Sequence, residues 1–436
     1  MLWLLYNVLF AVGYTLMLPR FLARMWRRGG YGKGFSERFA LYPSELAGRI
    51  RPGERIWIHA VSVGEVLVAL RFMRGMKEAQ PGTGFILTTT TSTGRCVAAA
   101  RIADDDVLLY FPVDFPWIVK RALSRLRPRA LLLTESEIWP NLVRLAHAGG
   151  IPVILINGRI SESSHRGYRA ARPFFSRVLR CMDLLLVQTP GDRDRLTSLG
   201  ADPERVHVLG TAKYDVAERD PEEQEDAEAV LRTAGVSSDC PVIVGGSTWP
   251  GEEAALLDAY RGLRRAIPAL KLVLVPRHAE RAGEVAAEIE RAGLVHVLRS
   301  GLQPGSAAKT GADVLLVDTT GELKRFYSCA TVIFVGRSLT RHGGQNIIEP
   351  ALFGKPVIVG PNMENFPVVA ADFLSAGAMV QVGSAAELTA ALESFLSDEG
   401  KRMEYGARAA AVVREKKGAV RESLRLIAAV MGPDRA

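Results

Sequence analysis

The chain has 436 residues, of which 48% are hydrophobic and 23% charged, so it can bury two cores of ordinary size and is not an intrinsically disordered chain. Its net charge of +8 and its pI near 9.4 would suit nucleic acid or an anionic membrane. The basic residues crowd behind the N-terminus, which favours the membrane and argues against nucleic acid. The four cysteines form no CxxC pair, which indicates free thiols in a reducing compartment.

Residues 1–19 form an uncharged apolar run, and a basic collar follows it at once. The run has about the length that a bilayer-spanning helix needs. A signal peptide carries its charges before the apolar segment, so the opposite order here predicts a retained membrane anchor. Because cationic flanks stay in the cytoplasm, the body of the protein should face the cytoplasm. The sequence leaves open whether this anchor spans the bilayer or lies in its plane.

Short aliphatic runs then alternate with helix-length amphipathic segments, which is the pattern of βα units in a parallel sheet. In the first half the runs are "IWIHAV", "FILTTT", "LLLTES", "VILING", "LLLVQT" and "VHVLG". After an acidic stretch at 218–230 the pattern restarts with "PVIVGGS", "KLVLVP", "VLLVDT", "TVIFVG", "PVIVGP" and "AMVQV". We therefore predict an α/β protein of two doubly wound domains joined near residues 211–230.

Polar and glycine-rich segments follow the predicted strands, where sheets of this kind bind ligands. In the first half these are "VSVGE", "TTTTSTG", "TESEIWPN" and "NGRIS"; in the second they are "GGSTWPGEE", "PRH", "DTTGEL" and "GGQNIIEP". Each segment alone is compatible with an ordinary turn, and Glu65 could simply favour the dipole of a helix start. Together, the second-half glycines with Arg277, His278 and Glu349 suit a nucleotide, with backbone amides for phosphate and a carboxylate for ribose.

Neither GxGxxG nor GxxxxGK[ST] occurs, which weakens a dinucleotide oxidoreductase or a P-loop enzyme. The acidic run 104–106 is isolated and forms no convincing cage for a metal ion. We therefore expect neither a metal nor a cofactor.

The motifs "HAVSVGE", "TESEIWPN", "GTAKYD", "PRH", "DTTGEL" and "GGQNIIEPALFGKPVIVGP", in this order behind a short anchor, resemble the family of 3-deoxy-D-manno-octulosonic acid (Kdo) transferases. The resemblance covers nearly the whole chain. It implies a GT-B architecture, in which two Rossmann-like domains face a cleft behind an N-terminal membrane-anchor helix. The segments it implies are an anchor and collar at 1–28, an acceptor domain at 29–212, a linker at 213–230, a donor domain at 231–415, and a C-terminal helix at 416–436 that crosses back to the first domain.

The same resemblance implies an inverting transfer of Kdo from CMP-Kdo to a lipid A precursor, lipid IVA, in lipopolysaccharide biosynthesis. Glu65 would be the general base, and Glu135 would assist it. The implied donor-binding residues are Gly246, Ser247, Arg277, His278, Gly343, Gly344, Asn346, Glu349 and Lys213. The implied acceptor-binding residues are Ser62, Gly64, Arg28, Lys33, Arg38 and Arg159. The cations among them would face the two phosphates of the acceptor, although Arg28 could equally grip anionic lipid.

Three positions depart from the commoner family pattern, and they bear on donor binding. Trp249 stands where a histidine is usual, Arg337 replaces a glycine, and Gln345 replaces a histidine.

Two other functions remain open at this point. One is a GT-B transferase that uses a UDP-sugar on a lipid-linked acceptor and therefore binds uridine rather than cytidine nucleotides. The other is a membrane-anchored pseudo-transferase that binds nucleotide or lipid without turning it over. The presence of Glu65, Glu135, Arg277 and Glu349 argues against a pseudo-transferase.

Overall fold

A computed structural model describes residues 1–28, 34–43, 46, 50, 53–218, 221–302 and 311–432. The chain divides into two compact units. The first contains Met1–Val216 and Gly418–Ala436, and the second contains Ala217–Lys417. Each unit is built on a parallel seven-stranded sheet, so the predicted α/β class with two doubly wound sheets is confirmed.

All seven strands of the first sheet run parallel, in the order β3-β2-β1-β4-β5-β6-β7. They are β1 (Arg55–His59), β2 (Gly84–Thr89), β3 (Val107–Tyr110), β4 (Ala130–Thr134), β5 (Val153–Gly158), β6 (Leu184–Val187) and β7 (Val206–Val208). The described helices of this unit are α1 (Leu2–Arg28), α2 (Val63–Ala79), α3 (Ser92–Ala99), α4 (Pro116–Leu126), α5 (Pro140–Ala148), α6 (Glu162–Ala170), α7 (Arg172–Leu179), α8 (Pro190–Leu199), α9 (Lys213–Val216) and, from the end of the chain, α18 (Ala419–Met431).

The first sheet is buried on both faces, which is why its strands are continuous aliphatic runs rather than alternating ones. Every residue of β4 is buried. Leu131 and Leu133 join the cluster on one face, and Leu132 joins Ile58 on the other. The neighbouring strands β1 and β4 pair with Ile58 opposite Leu132. The centre of the sheet is therefore fixed by apolar packing on both sides.

The second sheet is also parallel throughout, in the order β10-β11-β9-β8-β12-β13-β14. Its strands are β8 (Val242–Thr248), β9 (Lys271–Pro276), β10 (His296–Leu298), β11 (Val314–Leu316), β12 (Val332–Val335), β13 (Val357–Val359) and β14 (Val380–Gln381). The described helices are α10 (Pro221–Thr233), α11 (Glu252–Leu263), α12 (Ala282–Arg291), α13 (Leu323–Ser328), α14 (Ile348–Leu352), α15 (Pro367–Ser375), α16 (Ala385–Ser397) and α17 (Glu399–Lys416).

Helix α1 contains a 19-residue segment, Leu2–Arg20, with a mean hydropathy of 1.6. By length and composition this segment could cross a membrane.

Helix α18 packs on α2 within the first unit. Gly75 of α2 allows the close approach, since a Cβ atom there would lie 2.6 Å from a methyl group of Leu424. At the start of α18 the Asp215 carboxylate accepts hydrogen bonds from the backbone N–H groups of Gly418 (2.9 Å) and Val420 (3.3 Å). A carboxylate at this position satisfies amides that the helix itself leaves unpaired.

We predict that Asp215→Ala loosens α18 without unfolding the unit. The loss of a cap of this kind costs about 0.5–2 kcal/mol. Hydrogen exchange followed by mass spectrometry should therefore show faster exchange of the α18 amides. The control is Glu422→Ala, which removes an exposed carboxylate on α18 that pairs with Arg425. Equal exchange of α18 in the two variants would contradict a capping role for Asp215.

Candidate active site

The strand order of each sheet reverses at one point, and parallel α/β sheets bind ligands beyond the strand ends at that point. In the first sheet the reversal lies between β1 and β4, and in the second it lies between β8 and β12. Glu65 follows β1 and Glu135 follows β4, whereas Ser247 is the penultimate residue of β8 and Arg337 follows β12. The two predicted catalytic residues and Ser247 thus lie beside the reversal points.

Glu65 is the third residue of α2, and its side chain folds back over the start of the helix. The Val61 N–H donates to Oε2 (2.9 Å), and the Ser62 hydroxyl donates to Oε1 (2.8 Å). The Thr134 hydroxyl from β4 lies 3.1 Å from Oε2. Ser62 is the N-cap residue, so the carboxylate and the hydroxyl cap the helix together. Glu65 is 9% exposed, and these contacts fix its orientation.

Glu135 lies at the end of β4 with a backbone φ of 50°, in the left-handed region that non-glycine residues rarely adopt. Its carboxylate has three partners from other segments. The Asn157 amide donates to Oε1 (3.3 Å), Lys213 Nζ lies 3.5 Å from Oε1, and Arg159 Nε lies 3.7 Å from Oε2. The structure therefore brings Glu135 and Arg159 together. Lys213, for which the resemblance implies donor binding, lies in the first unit beside Glu135.

Glu137 is a third carboxyl group at the same strand end. Burial raises its pKa from 4.5 to about 7, and the negative charges of Glu65 and Glu135 add to the shift. The Trp139 indole N–H donates to Glu137 Oε2 (3.0 Å), and this hydrogen bond partly opposes the increase in pKa. Near neutral pH the proton of this three-carboxylate cluster therefore resides on Glu137 for a substantial fraction of the molecules.

His59, at the end of β1, faces Glu137. Its Nδ1 lies 3.1 Å from the Thr88 carbonyl oxygen, which can only accept, so Nδ1 carries the proton. Its Nε2 is buried without a hydrogen-bond partner among the described residues and lies 3.8 Å from Glu137 Oε2. Full burial lowers the pKa of His59 to about 3, so the ring is neutral. Nε2 of the neutral ring can accept a hydrogen bond from protonated Glu137 once the two atoms move slightly closer together.

The predicted acceptor-binding residues fall into three groups. Ser62 and Gly64 are exposed at the start of α2, and neither the backbone angle nor a neighbouring atom requires glycine at 64. Arg38 is 5% exposed; it donates to the Thr90 carbonyl (2.7 Å) and lies over the Tyr110 ring, which gives it a packing role. The side chain of Arg28, and all of Lys33, lie outside the described residues.

On the second sheet, tight packing shapes the end of β8. A Cβ atom on Gly246 would lie 2.4 Å from the Tyr327 hydroxyl oxygen, so only glycine fits there. Ser247, the next residue, has a φ of 54°. Burial raises the pKa of Tyr327 well above its usual range. The negative charge of Glu349 adds to this increase, and the positive charge of Arg277 opposes it. These opposing charges indicate that Glu349 and Arg277 both act on the region around Tyr327.

Glu252 organises the loop after β12. Its buried carboxylate accepts four backbone N–H groups, from Trp249 (2.9 Å) and Arg337 (2.8 Å) on Oε2 and from Ser338 and Leu339 (both 2.9 Å) on Oε1. Four amides on one carboxylate satisfy most of its lone pairs. Glu252 thereby ties the loop after β8 to the loop after β12 across the reversal point.

The remaining predicted donor residues lie in two loops. Arg277 and His278 are exposed after β9. Gly343 and Gly344 both have positive φ angles, 126° and 69°, which favour glycine. At the start of α14, Asn346 Nδ2 donates to Glu349 Oε1 (3.1 Å).

Two of the unusual residues, Trp249 and Arg337, contact each other. The guanidinium carbon of Arg337 lies 5.0 Å from the centre of the Trp249 ring, a cation–π geometry. The His278 ring meets the same indole edge-on at 5.4 Å. The side chains that replace a usual histidine and a usual glycine therefore form one cluster with His278.

Two protein-family models match the chain. Residues 33–216 match 3-deoxy-D-manno-octulosonic-acid transferase, and residues 306–412 match glycosyl transferases group 1. A 3-deoxy-D-manno-octulosonic acid transferase from Bordetella pertussis is 36% identical over 94% of this chain and 97% of its own length. The chain belongs to the Kdo transferase family. It is a glycosyltransferase of lipopolysaccharide biosynthesis, as the resemblance of its motifs had indicated.

Other Kdo transferases extend this match. The enzyme from Haemophilus influenzae is 31% identical over 91% of both chains. Among solved structures, a glycosyltransferase from Rickettsia africae covers 88% of this chain and all of its own, with a TM-score of 0.58 and 13% identity, a likeness of fold. Among the described residues of this Kdo transferase family member, no group of three or more His, Cys, Asp or Glu side chains could hold a metal ion.

Several residues of the site were not singled out from the sequence. Glu137, two residues beyond Glu135, is not among the residues that the motifs select, and neither are Thr134, Asn157 and Glu252. The spacing of the two acids in "TESE" was the one available signal for Glu137. The others act through contacts between strands that are distant in the chain, which a single sequence does not reveal.

We predict that Glu137→Gln changes how the stability of this Kdo transferase depends on pH. A carboxyl group whose pKa is raised by folding stabilises the protein below its unfolded pKa of 4.5, and this contribution is lost as the pH rises through about 7. The wild-type advantage over the variant should therefore fall between pH 5 and pH 8 by on the order of 3 kcal/mol. Urea unfolding across this range measures the difference.

Glu162→Gln, at an exposed carboxylate of α6, serves as the control and should give a difference independent of pH. A flat difference for Glu137→Gln as well would show that Glu137 is ionised throughout this range.

We also predict that Trp249 and Arg337 act as a pair in nucleotide binding. Arg337→Gly should not lower thermal stability, because glycine relieves a φ of 53°, but it should weaken CMP binding. Titration calorimetry of Arg337→Gly, Trp249→His and the double variant should give a coupling of about 0.5–1 kcal/mol. Additive effects would show that the contact plays no part in binding.

Proposed function

We propose that this Kdo transferase family member moves Kdo from CMP-Kdo to a lipid A precursor, lipid IVA, with inversion at the anomeric carbon and with Glu65 as the general base. The observation that carries the proposal is the orientation of Glu65 at the strand reversal of the first sheet. Three neighbours hold its carboxylate, and the exposed Ser62 and Gly64 lie beside it. A base so placed is preorganised to meet a sugar hydroxyl.

The proton balance of the step follows from these contacts. Two neighbours occupy Oε2, whereas Oε1 accepts from Ser62 alone among the described residues and keeps room for the acceptor hydroxyl. As the acceptor oxygen bonds to the anomeric carbon, its proton moves to Glu65 and the carbon–phosphate oxygen bond breaks. The electron pair leaves with CMP. Direct displacement of this kind inverts the anomeric configuration.

Neighbouring charges support the same assignment. Lys213 and Arg159 lie near Glu135 and offset its charge, and Glu137 takes up a proton near neutral pH. Protonation of Glu137 removes one negative charge from the surroundings of Glu65.

On the donor side we assign the phosphate of CMP to the amides around Gly246 and Ser247 and to the exposed Arg277. Charge that develops on the leaving phosphate needs such donors. Glu349, oriented by Asn346, is assigned to the ribose hydroxyls. The nucleotide of the donor distinguishes this function from a UDP-sugar transferase. CMP should raise the thermal unfolding midpoint, and UMP or UDP should not.

The acceptor and the location belong to the same proposal. The apolar segment of α1 and the basic residues behind it suit an enzyme that works on the cytoplasmic face of the inner membrane, where a lipid acceptor is available. An anionic membrane surface is the corresponding partner.

We predict that Glu65→Gln abolishes transfer and preserves the fold. The amide oxygen can still accept from Val61, whereas an amide cannot take a proton, so the rate should fall by about 10²–10⁴-fold. The assay is mass spectrometry of lipid IVA after incubation with purified protein and freshly generated CMP-Kdo. CMP affinity should stay within about twofold of wild type, because the base does not hold the donor.

Glu162→Gln provides a matched control that should transfer at the wild-type rate. Transfer by Glu65→Gln at the wild-type rate would exclude Glu65 as the base. Absence of transfer by the wild-type protein, with CMP bound, would favour a pseudo-transferase or another acceptor.

A further inference from the structure

Helix α1 has two apolar faces of different character. One face carries aromatic residues at spacings of three and four, Trp3, Tyr6, Phe10 and Tyr14, and each of these is half-buried. The opposite face carries aliphatic residues that are each at least 52% exposed. They are Leu4, Leu5, Val8, Leu9, Val12 and Leu16. We call this second set the outer stripe.

Hydrogen bonds dock the aromatic face to the body of the first unit. The Tyr6 hydroxyl donates to Asp114 Oδ2 (2.8 Å), and Asn141 Nδ2 donates to Asn7 Oδ1 (2.8 Å). Asp114 is fully buried and also accepts from the backbone of α5. A polar contact to a buried carboxylate is directional, so it fixes both the rotation and the position of the helix.

Ring contacts extend the docking along the helix. Trp3 and Tyr6 meet Phe174 at 5.0 and 5.1 Å, and Phe10 and Tyr14 meet Phe115 at 5.2 and 5.6 Å between ring centres. The helix is therefore docked sideways from Trp3 to Tyr14, which is about 17 Å of its length at 1.5 Å per residue.

This length of docked helix is incompatible with a free-standing span. The hydrocarbon core of a bilayer is about 30 Å thick. Between the last docked residue, Tyr14, and the first charge, Arg20, lie five residues, or about 7 Å of helix. To cross the core, α1 would have to leave its partners Phe115 and the buried Asp114 and Phe174.

We propose that α1 lies in the plane of the membrane, with its outer stripe immersed in lipid and its aromatic face on the first unit. A second exposed apolar side chain lies on α4, where Trp117 is 61% exposed and stacks on Phe115, the residue that Phe10 and Tyr14 of α1 contact. Exposed Lys120, Arg121 and Arg125 on the same helix add positive charge beside it. An apolar stripe bordered by cations and an interfacial tryptophan matches a surface of anionic phospholipid. The inference does not depend on the reaction that is catalysed.

The first experiment measures depth along the outer stripe. Spin labels are attached to single cysteines at Leu5, Leu9 and Leu16 of the full-length chain, with the four native cysteines replaced by alanine. The protein is bound to vesicles that contain phosphatidylglycerol, and collision with oxygen and with a water-soluble nickel reagent reports depth. An in-plane helix gives the three labels similar depths of about 5–10 Å below the headgroups. A spanning helix separates residues 5 and 16 by about 16 Å along the membrane normal.

The second experiment uses charge substitutions. Leu9→Glu and Trp117→Glu should each reduce vesicle binding by about tenfold or more, with unchanged unfolding midpoints. Each substitution replaces an apolar side chain that lies in lipid in the wild-type protein. Met403→Glu, at an exposed apolar residue of the second unit, should bind as the wild type does. The loss in Trp117→Glu is specific to the in-plane arrangement, since a spanning α1 would not bring α4 into contact with lipid.

Two results would overturn the proposal. One is a gradient of depth from residue 5 to residue 16 together with normal binding of Trp117→Glu, which would show a spanning helix. The other is labels that remain in water and show dipolar broadening between molecules, which would show that a second copy of the chain covers the outer stripe.

Discussion

The parallel pairing of β1 with β4 is the constraint on which the first-unit site depends. The two strands are far apart in the chain, yet their ends lie side by side at the point where the strand order reverses. This pairing delivers Glu65 from the start of α2 and the acids Glu135 and Glu137 from the end of β4 to one place. The Thr134 hydroxyl, which donates to the His59 carbonyl (2.9 Å) and lies 3.1 Å from Glu65, links the two strand ends directly. A shift of register between β1 and β4 would separate Glu65 from these neighbours.

Three carboxyl groups in one poorly hydrated place repel each other, and the surroundings of each differ. Glu65 has two neutral donors and the Thr134 hydroxyl beside it, Glu135 has two cations nearby, and Glu137 has one indole N–H. The acid with the weakest support is the one whose pKa rises toward neutrality. Differences of environment thus assign the proton, in the way that enzymes separate acid and base roles between like groups.

Backbone strain occurs near strand ends in both sheets. Glu135, Asn157, Ser247 and Arg337 are non-glycine residues with φ between 50° and 54°, and all four lie within two residues of a strand end. Such conformations cost on the order of 1–3 kcal/mol each and persist only where neighbours enforce them. In the second unit the Glu252 carboxylate supplies that enforcement by binding the Arg337 amide.

The sequence by itself determined the fold class, the two repeated halves and the family. Aliphatic runs reveal buried parallel strands, and the motifs behind them are long enough to be specific; Glu65 and Glu135 could be selected on that basis. The pairing of strands determined the other residues of the site, because hydrogen bonds between distant segments cannot be predicted from a single sequence. The structure shows that His59 Nε2 lies 3.8 Å from Glu137 Oε2, beside the other carboxyl groups of the site. It also shows that Arg38 is buried against Tyr110. Composition likewise marked α1 as apolar, but only tertiary contacts with Asp114 and Phe115 decided which of its faces is left for lipid.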